Sequence, residues 1–210
     1  MFDHTKRPID FVALNAYAPT IIQDLWYSTA NNFTGTVVTG YHANNAWLTQ
    51  KAASALAQVQ AAIQPWGLSL YIFDAYRPQR AVQHFIEWSY QPEDPVLQQR
   101  FYPNMTKRQL FEQGYIATRS SHMRGSTVDL TLATQTEQGW QELDMGTEFD
   151  VFGISAAPDY AALSQTQRNN RLLLRSLMLQ HNFHGFELEW WHFTLNNEPY
   201  PEHYFDFIVE

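Results

Sequence analysis

Residues 120–132 read Ser-Ser-His-Met-Arg-Gly-Ser-Thr-Val-Asp-Leu-Thr-Leu, and this stretch decides the fold of the chain. From residue 127 to residue 132 polar and apolar side chains alternate strictly, with valine or leucine at the even positions. A period of two is typical of a half-buried β-strand. The pattern therefore predicts a strand over 127–132 with Asp129 on its polar face. Gly125 allows a turn between His122 and this strand.

The neighbouring segments supply further strands and helices around this strand. Strands are predicted at 69–76, 127–132 and 186–195, and helices at 45–63, 78–90, 106–113 and 159–180. Pro65 and Gly67 end the first helix, Gly185 is expected to form a left-handed cap after the last one, and residues 91–103 are predicted to be a loop. This order favours the α+β class, with helices packed on a small, mostly antiparallel sheet that carries the candidate zinc site.

The composition limits the classes of partner and of chemistry. The 210 residues are 45% hydrophobic and 15% aromatic, enough for the core of one domain over 1–210. A formal charge of −8 is a poor match to nucleic acid or to an anionic membrane, so neither is expected as a partner. The absence of cysteine excludes disulfides, thiolate nucleophiles and cysteine-bound metals. No signal peptide or membrane helix is evident in the sequence, so a cytoplasmic location is expected.

Histidine and carboxylate residues in two segments could form a catalytic zinc site. Such a site takes three protein ligands and leaves one position open, and His122, Asp129 and His192 would supply that set. Glu189 would be the free carboxylate that takes a proton from the attacking water. Each spacing alone is weak, since a His-x6-Asp pair is expected about 0.4 times by chance in a chain of this composition. Asp129 on a half-exposed strand and His192 as a structural histidine therefore stay open as alternatives.

The predicted last strand creates a geometric conflict for this site. Glu189 and His192 differ by an odd number of positions, so in a regular strand their side chains would point to opposite faces. Both can face one site only if the strand ends, bends or bulges between them, and bulges are common beside active sites. We therefore predict an irregularity at Trp190 and Trp191.

Taken together, three segments closely resemble the D-alanyl-D-alanine dipeptidases of the VanX type, within the M15 or LAS group of zinc peptidases. That family carries a Ser-x-His-x-x-Gly-x-Ala-x-Asp motif and a later Glu-x-Trp-His; residues 120–129 and 189–192 match both, with Thr127 in place of the alanine. Further matches to the dipeptidase branch lie at 32–35, 74–78 and 144–150. The resemblance spans about residues 32–192, and the catalytic motifs lie within 74–192.

The resemblance implies an activity and a role for individual residues. It implies hydrolysis of D-Ala-D-Ala, a dipeptide of bacterial cell-wall metabolism, with one Zn²⁺ per chain held by His122, Asp129 and His192. Glu189 is implied as the general base and Arg77 as the cation that orients the scissile carbonyl and stabilises its oxyanion. Residues expected to contact the substrate, with Asp150 preferred over Asp144 for its ammonium group, are Asp150, Asp144, Ser121 and Tyr41.

Three alternatives stay open at this point. A peptidoglycan D,D-carboxypeptidase or L,D-endopeptidase of the same group would use the same zinc chemistry on longer substrates. A non-catalytic zinc module that binds a partner occurs on the same scaffold, although the presence of both Glu189 and Arg77 argues against it. In a metal-free protein the histidines and aspartates would be structural. The sequence leaves the oligomeric state open, as it does the choice between glycopeptide resistance and the scavenging of wall dipeptide.

Overall fold

Short strands and six α-helices make up residues 3–210, which this computed structural model describes. The strands are β1 (Phe11–Ala13), β2 (Ile22–Gln23), β3 (Trp47–Thr49), β4 (Leu68–Asp74), β5 (Thr127–Thr136), β6 (Gly139–Glu142), β7 (Phe183–Gly185) and β8 (His192–Leu195). The helices are α1 (Leu14–Tyr17), α2 (Gln50–Ile63), α3 (Gln79–Ser89), α4 (Pro95–Phe101), α5 (Lys107–Glu112) and α6 (Gln165–Gln180).

One larger sheet has β5 near its centre. Its strands run in the order β2–β4–β5–β8–β7, and β6 also pairs with β5. Only the β2–β4 pair of this sheet is parallel among the described strands, and β1 and β3 form a separate antiparallel pair. The predicted α+β class and mostly antiparallel sheet are confirmed. The register sets Asp129 opposite His192 on one side and opposite Asp74 on the other.

Strand β5 is longer and more deeply buried than its alternating pattern predicts. It continues to Thr136, and its first seven residues are buried on both faces. The prediction of a half-buried strand is therefore wrong. The polar face is turned inwards, where the Thr127 hydroxyl lies 2.9 Å from that of Thr194 on β8. Buried polar side chains are normally hydrogen-bonded, so this face depends on partners from the neighbouring strands.

The predicted helices are present, but several of their boundaries differ. The first helix begins at Gln50 rather than residue 45, because β3 occupies 47–49 and Thr49 caps the helix. The last helix begins at Gln165, where Ser164 and Gln167 form a capping box. The predicted loop over 91–103 contains α4, whose start is marked by the Asp94 cap and by Pro95 in its first turn. Both are sequence signals that point to a helix.

The segment 186–195, predicted as one strand, forms the loop and the second strand of a β-hairpin. Strand β7 ends at Gly185, residues 186–191 form a loop, and β8 starts at His192. Asn182, with a φ of 69°, takes the left-handed position after α6, so the prediction that Gly185 caps this helix is wrong. The change places Glu189 in a loop, free of the alternation that a strand imposes.

Aromatic side chains dominate the core next to the sheet. Phe73 of β4 stacks on Phe149 with 4.7 Å between ring centroids, and Tyr27 packs against Phe33 and Phe85. The buried cluster runs from Phe11 to Val209. Within residues 3–210, no helix is long and apolar enough to cross a membrane. The single domain and the cytoplasmic location stay predictions.

Candidate metal centre and active site

The three predicted metal ligands meet at one point of the sheet. His122 comes from the 3₁₀ turn Ser121–Arg124, Asp129 from β5 and His192 from the first position of β8. Their nearest ligand atoms lie within 4.8 Å of one another. One oxygen of Asp129 is 3.1 Å from His122 Nε2, the other is 3.1 Å from His192 Nδ1, and these two nitrogens are 3.3 Å apart.

Local turn chemistry brings His122 to this point. The Ser120 hydroxyl accepts a hydrogen bond from the His122 backbone N–H and caps the turn. Gly125 ends the turn with a φ of 76°, a left-handed conformation that glycine adopts without strain. A Cβ at this position would also overlap the ring of Phe11. The glycine is therefore required by the backbone and by the packing beneath it.

Hydrogen bonds on the far sides of the two imidazoles orient their metal-facing nitrogens. His122 Nδ1 donates to the Ala75 carbonyl at 2.7 Å, which leaves the lone pair on Nε2 facing Asp129. The Ser121 hydroxyl lies 3.3 Å from His192 Nε2 and can accept a hydrogen bond from its N–H. The lone pair of His192 is then on Nδ1, which faces Asp129. Metal-bound histidines usually have such a partner on the second nitrogen.

This arrangement fits a divalent metal ion. Oδ1 of Asp129 is buried and accepts no hydrogen bond, although His192 Nδ1 lies 3.1 Å away. Two imidazole lone pairs and a carboxylate facing one another repel unless a cation lies between them. Two histidines and one aspartate are ligands typical of zinc.

Glu189 lies beside this group in the loop before β8. Its Oε2 is 3.7 Å from His192 Nδ1, and the residue is 7% exposed. The predicted irregularity is confirmed, since Trp190 and Trp191 form a turn and the strand begins only at His192. Burial raises the pKa of Glu189 well above its usual range, and the charges of Asp129 and Asp150 add to this effect. A carboxylate in these surroundings is a stronger base than one on the surface.

Arg77 approaches the group from the end of β4. Its Nε donates to Asp74 at 2.9 Å. Its Nη2 lies 3.4 Å from the Asp129 carboxylate. The guanidinium rests over the rings of Tyr27 and Phe85, 5.0 and 5.3 Å from their centroids. It is held between apolar rings and two buried carboxylates, with its side chain 12% exposed.

These residues line one cavity of about 330 Å³. A cavity of this size suits a small ligand rather than a protein chain. Aromatic side chains close it on several sides: Phe33, Phe85, Tyr115, Phe152, Phe186 and Trp191. At another part of the wall Arg124 donates to Glu198 at 2.9 Å, a pair that was not predicted from the sequence.

Comparison with known sequences shows the family to which the chain belongs. The profile of the M15 peptidase family, described as D-ala-D-ala dipeptidase, matches residues 7–210. The chain belongs to the M15 peptidase family. The D-alanyl-D-alanine dipeptidase of Streptomyces coelicolor is 40% identical over 200 residues, 95% of this chain and 98% of that protein. Proteins of the same name are 37% identical in Enterococcus faecium, over 96% of this chain and 99% of the relative, and 32% identical in Escherichia coli, over 89% and 84%.

Asp150 lines the cavity of this M15 peptidase together with the metal group, which consists of His122, Asp129 and His192. It is 3% exposed, and its carboxylate accepts a hydrogen bond from the Tyr27 hydroxyl at 2.8 Å. Burial raises the pKa of Asp150 well above its usual range, with a further contribution from Asp129. Tyr27 was not among the site residues predicted from the sequence. No local signal could reveal it, because it meets Asp150 across 123 residues of chain.

Of the other three predicted substrate contacts, only Ser121 lies at the cavity. Ser121 lines the cavity, beside His192. Asp144 is exposed and lies outside the cavity lining, and its carboxylate accepts hydrogen bonds from Gly146 and Gln167. Tyr41 is buried behind the cavity wall, where its hydroxyl donates to Asp74. The structure thus brings Asp150 and Ser121 to the site, and it does not bring Asp144 or Tyr41 there.

Proposed function

We propose that this M15 peptidase is a zinc-dependent dipeptidase that hydrolyses D-Ala-D-Ala to two molecules of D-alanine. The observation that carries the proposal is the convergence of His122, Asp129 and His192 beside Glu189 and Arg77 in one small cavity. The relatives that match nearly the whole chain are named D-alanyl-D-alanine dipeptidases, which supports the same substrate.

In this proposal the metal and the protein side chains divide the chemistry. His122, Asp129 and His192 would hold a zinc ion, which would supply a Lewis acid and lower the pKa of the attacking water. Glu189 accepts a proton from the attacking water and delivers it to the leaving amine, as the C–O bond forms and the C–N bond breaks. Arg77 orients the scissile carbonyl and stabilises the negative charge that develops on its oxygen.

Asp150 provides the selectivity for a free dipeptide. The ammonium group of D-Ala-D-Ala is on the α-carbon next to the scissile carbonyl, whereas in a longer peptide an amide takes its place. A buried carboxylate in the same cavity as the metal ligands would pair with the ammonium and leave an amide without a charged partner. Tyr27 holds this carboxylate through its hydroxyl.

Asp150→Asn is expected to lower kcat/KM for D-Ala-D-Ala by about 10–100-fold, because a hydrogen bond between charged groups contributes roughly 1.5–3 kcal/mol. The decisive comparison uses the N-acetylated dipeptide, which has no ammonium group. The wild type should reject it, and Asp150→Asn should lose most of that preference. Asp144→Asn, at the rival position, should keep the wild-type preference. If both enzymes discriminate equally, another residue binds the ammonium group.

The proposed activity is tested by the release of D-alanine from D-Ala-D-Ala by the purified, zinc-loaded protein. A peptide ending in D-Ala-D-Ala, such as a peptidoglycan stem pentapeptide, is assayed in parallel. Hydrolysis of the dipeptide alone supports the proposal. Hydrolysis of the longer peptide alone indicates a carboxypeptidase or endopeptidase. Stoichiometric zinc without hydrolysis of either substrate indicates a binding module.

A further inference from the structure

Behind Arg77 lies a buried hydrogen-bonded chain that has no direct access to the cavity. Asp74, fully buried at the end of β4, accepts from Arg77 Nε through one oxygen at 2.9 Å. Through its other oxygen it accepts from the Tyr41 hydroxyl at 2.6 Å. Neither Asp74 nor Tyr41 lines the cavity. Both can therefore affect the reaction only through a residue that does.

Two residues are close enough to be that intermediary. Asp74 also lies 3.6 Å from His122 Nδ1, so it could in principle orient a metal ligand instead of Arg77. The hydrogen bond of that nitrogen, however, goes to the Ala75 carbonyl at 2.7 Å. The distance to Arg77 is shorter by more than half an ångström, and it satisfies the geometry of a hydrogen bond. Arg77 is therefore the partner through which Asp74 acts.

The guanidinium needs such an anchor because a second carboxylate competes for it. Nη2 of Arg77 already lies 3.4 Å from Asp129, a candidate metal ligand. A guanidinium drawn fully to Asp129 would be neutralised there and would compete with the metal. Asp74 binds the neighbouring Nε on the same edge of the planar group, so contacts at two nitrogens fix both its plane and its position. Tyr41 in turn fixes the carboxylate of Asp74.

The packing around these residues agrees with a fixed arrangement. The ring of Tyr41 meets the edge of Tyr27 with 5.6 Å between centroids, and the Tyr27 ring carries the guanidinium of Arg77. The register of the β4–β5 pairing shifts between Ile72 and Asp74, so β4 is irregular at its last residue, Asp74. Bulges of this kind redirect a side chain beside an active site.

We infer that Asp74 and Tyr41 form a positioning pair that holds Arg77 in place for the reaction, and that Tyr41 does not contact the substrate. The inference rests on the proposed function, in which Arg77 acts on the scissile carbonyl. It replaces the substrate contact predicted for Tyr41.

Steady-state kinetics on D-Ala-D-Ala provide the first test. Asp74→Asn should lower kcat by about 10–100-fold with little change in KM, as is usual when an outer partner of a catalytic group is lost. Tyr41→Phe, which removes only a hydroxyl, should lower kcat by a smaller factor, again without raising KM. Tyr200→Phe is the matched control: its hydroxyl donates to Asp10 at 2.6 Å, and Tyr200 does not line the cavity, so kcat should not change.

A double-mutant cycle identifies the residue through which the pair acts. In an Arg77→Ala background, Asp74→Asn should cause no further loss of kcat, because the group that it positions is absent. Zinc stoichiometry should equal that of the wild type in every variant. If the losses of kcat from Asp74→Asn and Arg77→Ala multiply in the double variant, or if Asp74→Asn loses zinc, Asp74 acts through the metal ligand His122. Either result would overturn the inference. A raised KM in Tyr41→Phe would restore the substrate contact.

A readout without catalysis separates failure of this inference from failure of the proposed function. The Nε–H of Arg77, identified in ¹H–¹⁵N spectra by its loss in Arg77→Ala, should be protected from solvent exchange in the wild type. It should exchange at least tenfold faster in Asp74→Asn, and should be unchanged in Tyr200→Phe. If the wild type hydrolyses nothing but this pattern holds, the positioning pair stands and the activity is wrong. Equal exchange in all these proteins would refute the positioning pair itself.

Discussion

Replacing Glu189 with glutamine is expected to lower kcat for D-Ala-D-Ala by about 10²–10⁴-fold, the range for loss of a general acid–base group. The substitution keeps the shape of the side chain and removes its ability to accept a proton. Because Glu189 is not one of the three converging ligand residues, zinc stoichiometry and the melting temperature should stay close to those of the wild type. Release of D-alanine and bound zinc are measured on the same preparations.

Glu187→Gln provides a control of the same chemistry in the same loop. Glu187 is exposed and does not line the cavity that holds the metal group, so its replacement should leave kcat unchanged. Equal losses in both variants would attribute the effect to the loop between β7 and β8 rather than to proton transfer. Loss of zinc in Glu189→Gln would make this residue a ligand, which contradicts its assignment as the base.

The metal group could be predicted from the sequence because short-range signals place most of it. The cap at Ser120, the left-handed Gly125 and the alternation that follows set His122 and Asp129 seven positions apart across one turn. The parity conflict between Glu189 and His192 correctly predicts a break before β8. What the spacing could not supply is the register that sets His192 opposite Asp129, which depends on pairing between distant strands.

The supporting residues could not be predicted, since their partners are far apart in the chain. Tyr27 and Asp150 are separated by 123 residues, and Tyr41 and Asp74 by 33. Tyrosine is common in cores, and only the fold shows which hydroxyl meets a buried carboxylate. The same reason explains why the polar face of β5 is buried: its neighbours on β4 and β8 were not visible in the local pattern.

The charges of the site explain why the fold and the metal should be linked. Asp74, Asp129, Asp150 and Glu189 are buried within one region, and Arg77 contacts the first two of them directly. Arg124, which also lines the cavity, is paired with Glu198. Buried charges without partners are costly, so a divalent cation at the three ligands offsets a real imbalance. The bound metal should therefore stabilise the folded chain as well as complete its chemistry.

Removal of the metal with a chelator is accordingly expected to abolish D-alanine release and to lower the melting temperature. A ligand that binds only the folded state stabilises it by about 2.7 kcal/mol when its free concentration is one hundred times its Kd. Added Zn²⁺ should restore both properties. Mg²⁺ should restore neither, because it prefers octahedral oxygen ligands to imidazole. Scanning calorimetry and the dipeptide assay are run on the apo and the reloaded protein.

His122→Ala should abolish the zinc-dependent rise in melting temperature, because it removes one of three ligands. His181→Ala is the matched control, since His181 also bonds a backbone carbonyl through Nδ1, at 2.8 Å, but lies outside the metal group. It should keep the full zinc response, whatever its effect on the apo protein. Full activity in a preparation shown to contain no metal would exclude the zinc mechanism. A zinc response that survives in His122→Ala would move the site to other residues.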